Sequence, residues 1–396
     1  MNNFCPMPFI NLETRTDASC SVCCQMDRVI HTDGKPVNLV TDVPSTAWRS
    51  SDINSIRDQF LENVQPRECY SCWQAESAGV DSKRLRALRD FPDVETRVRS
   101  GYTYDKPLSL DLKFGNICNN KCRTCTSFAS SQWVPEERDR VEGRDGLWNR
   151  MRIQGRWPDR NSAVWQDLTE LASDVHVLEF YGGEPLLIAQ HKEILHQSVA
   201  NRQAVNTTLS YNTNGTVFPG DYLELWGEFK RVHLSFSIDA IDLQFNYIRH
   251  PADFDQIILN LRRLCELKMN NLLIDICFTV SIFNIMSMRS MVDYFTREFP
   301  EIDIHFNHVY TPIQYSCRIL PDAVKAAIRE YYRGVNHRDI VASVQYMSEG
   351  EYDSAAMREF YASVRYSDTY RGESFSGVFP ELDLLLRRYD GANYGF

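Results

Sequence analysis

The sequence contains no long uninterrupted apolar run. Its most apolar stretch, residues 272–286, is interrupted by Asp275, Thr279, Ser281 and Asn284, and it falls short of the ~18–20 clean apolar residues that a membrane-spanning helix requires. The first residues, MNNFCPMPFINLE, contain neither the cationic segment nor the apolar core of a secretory signal. We therefore expect a cytoplasmic protein that does not contact a membrane.

Positively charged residues are outnumbered by negatively charged ones. There are 43 Lys and Arg residues against 53 Asp and Glu residues, so the formal net charge is −10. This excludes a uniformly basic surface of the kind that binds nucleic acid or anionic lipid without specificity, although a local basic patch stays open. Repeats and low-complexity segments are absent as well, and 396 residues at ~150 per domain predict two or three domains or one barrel with an added module.

Cysteine, by contrast, is abundant. Nine of the twelve cysteines lie in the first third of the chain. In a chain of this length without an export signal, such thiols bind metals or serve catalysis more often than they form disulfides. The other three, Cys265, Cys277 and Cys317, are scattered, and we predict that Cys265 is a small buried apolar side chain.

Three cysteines follow a predicted strand at residues 108–114 in a C-x3-C-x2-C pattern, namely Cys118, Cys122 and Cys125. Three thiolates at this spacing can hold one side of a [4Fe–4S] cluster, for which full protein ligation needs four cysteines. One iron then stays open to a ligand, as in reactive rather than structural metal sites. A zinc site and a Cys122/Cys125 redox pair remain alternatives, although no histidine lies near the loop and a redox pair leaves Cys118 unexplained.

The residues after this triplet alternate between strand-like and helix-like patterns. Strands are predicted over residues 108–114, 175–181, 207–211, 232–238, 272–280 and 302–309, and amphipathic stretches such as 254–269 and 288–299 predict helices between them. Six strands alternating with helices indicate an α/β fold with a parallel sheet. In such folds the chemistry lies at the carboxyl ends of the strands.

The cysteine triplet, its position after the first strand and the later Tyr181-Gly-Gly-Glu-Pro185 resemble the radical S-adenosylmethionine (SAM) superfamily. The resemblance implies a partial (β/α)6 barrel and a [4Fe–4S] cluster whose open iron is chelated by SAM. It also implies one-electron cleavage of SAM to a 5′-deoxyadenosyl radical that abstracts a substrate hydrogen, with an electron donor such as flavodoxin or ferredoxin. The chain departs from the family pattern at Thr124, where an aromatic residue usually stands, and this departure affects adenine packing rather than ligation.

Several residues at the predicted strand ends resemble the family's SAM contacts. Gly182 and Gly183 would let the backbone approach the SAM amino group, and Glu184 would add charge. The further matching positions are Asn214, Ser237 and Asp239 for the ribose and carboxylate, and Arg249 for the methionyl carboxylate. Outside this context, each would pass as an ordinary turn residue or surface charge.

The fifth predicted strand carries polar side chains with a two-residue period. Asp275, Cys277, Thr279 and Ser281 share one face. If this face lines the lumen, Cys277 becomes a catalytic candidate, either as a hydrogen donor or as a substrate contact. The alternative is a buried structural thiol.

The N-terminal region contains two C-x2-C pairs, at residues 20–23 and 69–72, which alone would fit a zinc ribbon. The Cys-Pro-x-Pro-Phe opening at residue 5, the double cysteine at 23–24 and Cys-x-x-Cys-Trp at 69–73 instead resemble the twitch module of radical SAM enzymes, a shortened relative of the SPASM module. The same likeness extends to Glu76, Gly79, Ser82 and Arg84.

This second resemblance implies an auxiliary [4Fe–4S] cluster held by Cys5, Cys23, Cys69 and Cys72. Cys24 is the alternative to Cys23, and Cys20 would be spare. The chain then divides into a small Cys-rich twitch-like module (1–100), a radical SAM core (101–320) and a helical C-terminal extension (321–396), with helices predicted over 321–334 and 354–366.

Arginine and tryptophan are concentrated between the cysteine triplet and the second strand. The arginines are Arg138, Arg140, Arg144, Arg150, Arg152, Arg156 and Arg160. Carboxylates such as Glu136, Glu142 and Asp145 interleave with the first of them, which is typical of a solvated, salt-bridged helix. The later part, with Trp148 and Trp157, is suited to phosphate contact and base stacking.

The plan of the whole chain resembles radical SAM enzymes of tailed phages, some of which rearrange amino-acid-decorated thymidines in viral DNA. The resemblance implies isomerisation of a modified nucleobase in DNA, in the host cytoplasm if the protein is phage-encoded, with the Arg/Trp stretch as the DNA contact. Two alternatives remain. One is radical modification of a ribosomally made peptide by crosslinking, thioether formation or epimerisation, and the other is a non-enzymatic, zinc-stabilised nucleic-acid-binding protein.

Overall fold

The computed structural model describes residues 3–77, 81–140 and 146–389. Its strands are β1 (Asn11–Thr14), β2 (Cys20–Ser21), β3 (His31–Thr32), β4 (Lys35–Pro36), β5 (Ser109–Lys113), β6 (Val177–Tyr181), β7 (Thr208–Thr213), β8 (Arg231–Ser237), β9 (Leu272–Val280) and β10 (Asp303–His308). Eight of them form one sheet in the order β10-β9-β8-β7-β6-β5-β1-β2, and β3 pairs with β4 in a separate hairpin.

Parallel pairing dominates the main sheet. Every neighbouring pair is parallel except β1 with β2. The six strands predicted from periodicity correspond to β5 through β10, and the α/β class is confirmed. The N-terminal region adds β1 to the same sheet, with Asn11 opposite Ser109 and Thr14 opposite Leu112.

Helices precede, connect and follow these strands. Those before β5 are α1 (Met7–Ile10), α2 (Pro44–Trp48), α3 (Ser51–Leu61), α4 (Tyr70–Ser77), α5 (Lys83–Asp90) and α6 (Val94–Arg99). Those between β5 and β10 are α7 (Trp133–Arg140), α8 (Leu147–Gln154), α9 (Trp157–Arg160), α10 (Ala163–Leu171), α11 (Lys192–Ala200), α12 (Leu223–Trp226), α13 (Asp242–Ile248), α14 (Phe254–Glu266) and α15 (Met288–Glu298). Parallel strands need such crossovers. In the described parts of the chain, no helix combines the length and hydropathy needed to cross a bilayer.

One face of the sheet is apolar and forms the core with the connecting helices. Leu110, Leu178 and Leu209 lie in register on β5, β6 and β7, and all three are fully buried. Phe180 stacks on Tyr211 at 4.6 Å between ring centroids. This row of large side chains fixes the register, because a slip of one residue would move it to the opposite face.

The opposite face is polar. One cross-strand row on this face contains Glu13, Asp111, Glu179, Ser210 and His233. A parallel sheet that is buried against helices on both sides has apolar residues on both faces. The alternation found here therefore leaves one face available for chemistry.

The C-terminal region is helical, as predicted. It contains α16 (Asp322–Tyr331), α17 (Arg338–Ser348), α18 (Ser354–Arg371), α19 (Phe375–Val378) and α20 (Pro380–Tyr389). Aromatic rings join it to the rest of the molecule: Phe379 meets Tyr247 of α13 edge-on at 5.4 Å between centroids, and Phe283 lies 5.5 Å from Phe360. The extension therefore belongs to the same apolar core.

The prediction that Cys265 is buried is wrong. The buried face of α14 contains Ile257, Leu261 and Leu264, at the spacing of one helical face. Cys265 follows Leu264 directly and is therefore turned by about 100° toward solvent.

Candidate cluster and cofactor site

The carboxyl ends of the central strands border a cavity of about 220 Å³. The residues predicted from the sequence that line it are Cys118, Cys122, Cys125, Gly182, Gly183, Asn214, Ser237 and Arg249. They come from the loop after β5, the turn after β6, the ends of β7 and β8, and the end of α13. Parallel pairing brings these chain segments to one edge of the sheet.

The Gly-Gly turn lies directly on the backbone of the cysteine loop. The amide of Gly183 donates to the carbonyl of Gly115 at 3.2 Å, and that of Glu184 donates to Ile117 at 2.8 Å. A Cβ atom on Gly183 would lie 2.1 Å from the Ile117 carbonyl oxygen, and Gly182 has a φ of +87°. Glycine is therefore required at position 183 by the close approach and at position 182 by the positive φ of the turn. The backbone of both residues also borders the cavity.

The three thiols differ in their electrostatic surroundings. The Cys125 thiol donates to Cys122, and the guanidinium of Arg249 lies 3.8 Å from the Cys122 sulfur, so that the pKa of Cys122 is lowered to about 7. Burial raises the pKa of Cys118 to about 12. Because metals bind thiolates, loading this site must release protons.

Asp239 lies behind the cavity wall and orients Arg249. Its Oδ2 accepts from Arg249 Nε at 2.6 Å, and its Oδ1 accepts from the backbone amide of Thr279 at 2.9 Å. Asp239 is almost fully buried and does not line the cavity. Its carboxylate therefore acts on the cavity through the guanidinium that it holds.

Glu184 has a similar position behind the wall. Its carboxylate accepts from the Leu186 amide at 3.2 Å, the Thr213 hydroxyl at 2.9 Å and the Asn214 amide at 2.7 Å. Burial raises its pKa to about 7. Glu184 thus fixes the end of β7, from which the Asn214 side-chain amide extends to within 3.8 Å of the Cys118 sulfur.

Cys277 lies on the polar face of β9, opposite Ser237 on β8 and His305 on β10. Burial raises the pKa of its thiol to about 11. It is absent from the lining of the 220 Å³ cavity. Its role as a hydrogen donor or substrate contact stays a prediction.

A buried cation inside the cysteine loop was not found by sequence reasoning. Arg123 is 1% exposed, its guanidinium pairs with Asp368 at 2.6 Å and with Glu373, and it lies 3.9 Å from the centre of the Tyr247 ring. The two carboxylates come from the C-terminal extension. No local sequence pattern joins residues that are about 250 positions apart. The available signal was the group of charged residues beside aromatic residues near the C-terminal end of the sequence.

A second buried ion cluster strengthens the same contact. Glu136, predicted to lie on a solvated helix, is 1% exposed, and that prediction is wrong. It pairs with Lys121 and with Arg371, each at 3.0 Å, and it accepts from Ser367 at 2.6 Å. Lys121 precedes Cys122, so the C-terminal extension holds the cysteine loop from two sides.

The N-terminal cysteines border a second, small cavity. Its lining includes Cys5, Cys23, Cys69 and Cys72. Burial raises the pKa of Cys5 and Cys23 well above the ordinary value and that of Cys69 to about 12. Burial thus favours the neutral thiol form of Cys5, Cys23 and Cys69.

Arg84 joins the segments around this second cavity. It pairs with Glu76, donates to the carbonyl of Phe4 at 2.8 Å and lies 4.6 Å from the centre of the Trp73 ring. Ser82 donates to the same Glu76 carboxylate at 2.6 Å. Four positions that resemble the twitch module are thus joined by direct contacts, namely Trp73, Glu76, Ser82 and Arg84.

The remaining N-terminal cysteines lie elsewhere. Cys24 is exposed, with its sulfur 3.5 Å from Lys83 Nζ, whereas its neighbour Cys23 lines the cavity. Cys20 is fully buried and does not line the cavity.

The Arg/Trp stretch divides into buried and exposed parts. Trp157 is fully buried and donates its indole N–H to the carbonyl of Arg15 at 3.1 Å, so the prediction that it stacks on a base is wrong. Trp148 is half-buried, and Arg150, Arg152, Arg156 and Arg160 are exposed. Of the predicted residues, Gly79, Glu142, Arg144 and Asp145 lie outside the described ranges.

Comparison with known families gives a match in the central segment. Residues 112–295, somewhat less than half of the chain, match the family described as the Radical SAM superfamily. This segment contains the cysteine triplet, the Gly-Gly turn and Arg249. No curated protein matches the chain.

Among solved structures, anSMEcpe with bound AdoMet is 17% identical, with 67% of this chain and 62% of that chain covered and a TM-score of 0.39. SuiB of Streptococcus suis bound to the precursor peptide SuiA is 14% identical, with 88% and 71% covered and a TM-score of 0.35. The chain thus spans about three fifths of the length of anSMEcpe, and both TM-scores lie below 0.5.

We predict that Arg123→Met weakens the cysteine loop. Asp368 and Glu373 would lose their shared cation inside the protein, and the free energy of unfolding should fall by roughly 3–5 kcal/mol, as for a broken buried ion pair. Urea unfolding followed by circular dichroism measures this loss.

The matched control is Arg289→Met, which removes an arginine whose ion pair with Asp293 is largely solvated. Such pairs contribute about 1 kcal/mol or less. Similar losses in both variants would contradict the assignment of Arg123 as the buried anchor of the loop.

We also predict a pH-dependent contribution from Glu184. Its pKa is raised from an ordinary value of 4.5 to about 7 in the folded state, so the folded protein retains a proton that the unfolded chain has released. Stability relative to Glu184→Gln should therefore fall as pH rises from about 4.5 to about 7, by at most roughly 3 kcal/mol, and stay constant above that.

Urea titrations of both proteins between pH 5 and pH 8 measure this difference. Glu193→Gln is the control, because Glu193 is exposed at the start of α11. A wild-type minus variant difference that stayed flat or rose over this interval would refute the raised pKa.

Proposed function

We propose that this protein is a radical SAM enzyme, with a [4Fe–4S] cluster held by Cys118, Cys122 and Cys125. The observation that carries the proposal is the single cavity where these thiols meet the Gly-Gly turn and Arg249. Thiolates are the ligands that such clusters require, and three of them leave one iron open. When bound together, the cluster and SAM would supply a 5′-deoxyadenosyl radical for hydrogen abstraction.

The residues around the cavity would bind and orient SAM. The backbone of Gly182 and Gly183 is suited to the amino group, the guanidinium of Arg249 to the carboxylate, and Asn214 and Ser237 to the ribose. Arg249 is already held by Asp239, so its orientation is fixed before SAM arrives. Such preorganisation lowers the entropic cost of binding.

The second cavity would hold an auxiliary [4Fe–4S] cluster on Cys5, Cys23, Cys69 and Cys72. Four thiols border it, and Cys24 is directed elsewhere. Across residues 3–77, 81–140 and 146–389, no three His, Cys, Asp or Glu side chains converge where one metal ion would bind. Flavodoxin or ferredoxin would act as the electron donor.

The proposed substrate is an amino-acid-modified thymidine in DNA, and the proposed reaction is an isomerisation. The exposed arginines of α8 and α9, next to the half-buried Trp148, would supply local positive charge on a chain of net charge −10. Phosphate contacts of this kind position nucleic acid without reading its sequence. Cys277 would contact the substrate from the polar face of β9.

Anaerobic reconstitution with iron and sulfide tests the cluster assignments. The wild type should bind about eight irons, two cubes of four, and should release 5′-deoxyadenosine from SAM with dithionite, measured by mass spectrometry. Replacement of Cys118, Cys122 and Cys125 by Ala should abolish 5′-deoxyadenosine and leave about four irons. Cys265→Ala, at an exposed thiol, is the control and should retain both properties.

Two results would overturn these assignments. Activity that survives in the triple variant would exclude the three-cysteine cluster. Zinc without residual iron in the same variant would exclude the auxiliary cluster and favour a zinc-stabilised module.

A paired-arginine variant tests the DNA contact. Arg150→Ala/Arg152→Ala should weaken binding to double-stranded DNA and lower the slope of log affinity against log salt by roughly 1–2, measured by fluorescence anisotropy. Arg289→Ala/Arg297→Ala removes the same charge from exposed positions on α15 and should change neither. Equal effects would exclude a specific contact, and modification of a peptide with no change in DNA nucleosides would favour the peptide alternative.

A further inference from the structure

The polar face of the sheet carries three carboxylates side by side. Glu13, Asp111 and Glu179 lie in register on β1, β5 and β6. The side chains of Glu13 and Asp111 are almost fully buried, and that of Glu179 is 21% exposed. Like charges directly opposite each other destabilise a sheet, so this row needs cations.

Two lysines neutralise the row in different ways. Lys113 contacts Glu13 closely and lies 3.0 Å from Asp111 Oδ1, which makes a closed ion triad. Lys83, from α5, lies 3.5 Å from Glu179 Oε2, 3.7 Å from Asp111 Oδ2 and 3.5 Å from the Cys24 sulfur. Both distances to oxygen exceed the usual 2.7–3.2 Å of a hydrogen bond, and we call Lys83 and Glu179 the open pair.

The open pair retains unused bonding capacity. Tyr181 donates its hydroxyl to Glu179 Oε1 at 3.0 Å, which leaves Oε2 with the long 3.5 Å contact to Lys83. Among the described residues, the fully buried Asp111 Oδ2 has no hydrogen-bond partner. Tyr181 also lines the cavity of the three cysteines, so the open pair lies next to that cavity.

We propose that Lys83 and Glu179 bind the zwitterionic amino-acid group of the substrate, with its ammonium at Glu179 and its carboxylate at Lys83. This rests on the proposed function, because it places the substrate beside the SAM cavity. The three carboxylates and two lysines together have a net charge of −1. A zwitterion can pair with both Lys83 and Glu179 and leaves this net charge unchanged. The internal backbone of a peptide carries neither a free ammonium nor a free carboxylate, so the subsite favours an amino-acid conjugate.

A probe with its charges removed one at a time tests this subsite. The probe is a 2′-deoxyuridine whose C5 methylene carries glycine through nitrogen, and its analogues are the N-acetyl and carboxamide forms. Calorimetry on the reconstituted holoenzyme with SAM and no reductant should show that each analogue binds roughly tenfold more weakly or worse, as for a lost charge-assisted hydrogen bond.

The variants should give a crossed pattern. Lys83→Met should remove the preference against the carboxamide, and Glu179→Gln the preference against the N-acetyl form, which a loss of general stability would not do. Lys83→Arg should keep both preferences. The control variants Lys230→Met and Glu193→Gln, at exposed positions, should leave binding unchanged.

Equal binding of the three compounds to the wild-type protein, or a uniform loss for all three in Lys83→Met, would overturn the subsite. The proposed function is judged separately, by 5′-deoxyadenosine from the same preparations once dithionite is added. Formation of 5′-deoxyadenosine without charge preference rejects the subsite alone. Its absence in the wild type rejects the proposed function and, with it, the substrate role of the subsite.

Discussion

Arg123 places a full positive charge in the middle of the cysteine loop, and its burial constrains much of what surrounds it. An unpaired buried charge is unstable, and its partners Asp368 and Glu373 come from the other end of the chain. The C-terminal helices therefore form part of the support under the three thiols. Glu136 repeats the arrangement with Arg371, so the position of the loop depends on contacts with the C-terminal helices.

The same principle operates one layer behind the cavity wall. Asp239 and Glu184 do not border the cavity, yet each holds a group that does, Arg249 and Asn214 respectively. A carboxylate in such a position accepts several hydrogen bonds at once and thereby fixes both a side chain and the backbone next to it. The orientation of the polar groups that line the cavity is thus fixed by two carboxylates that lie outside its lining.

The parts of this fold that follow from the sequence are those with a local signal. The strand at residues 272–280 is evident from its two-residue period, and the cysteine triplet from its spacing. The pairing of Arg123 with Glu373 has no local signal, because each looks like a surface charge until the chain is folded. Trp157 and Cys265 show a second reason: residue type sets an average preference for burial, but the face of the helix decides it.

Lys83 and Arg84 are consecutive residues on α5, and both line the four-cysteine cavity, although their charged groups pair with different carboxylates. Arg84 pairs with Glu76 beside the four-cysteine cavity, while Lys83 extends to the carboxylates of the sheet. Consecutive helical residues diverge by about 100°, so one helix can supply both. The Lys83 ammonium therefore connects the lining of the four-cysteine cavity with the carboxylates of the sheet, and its attraction to Glu179 varies inversely with the distance between them.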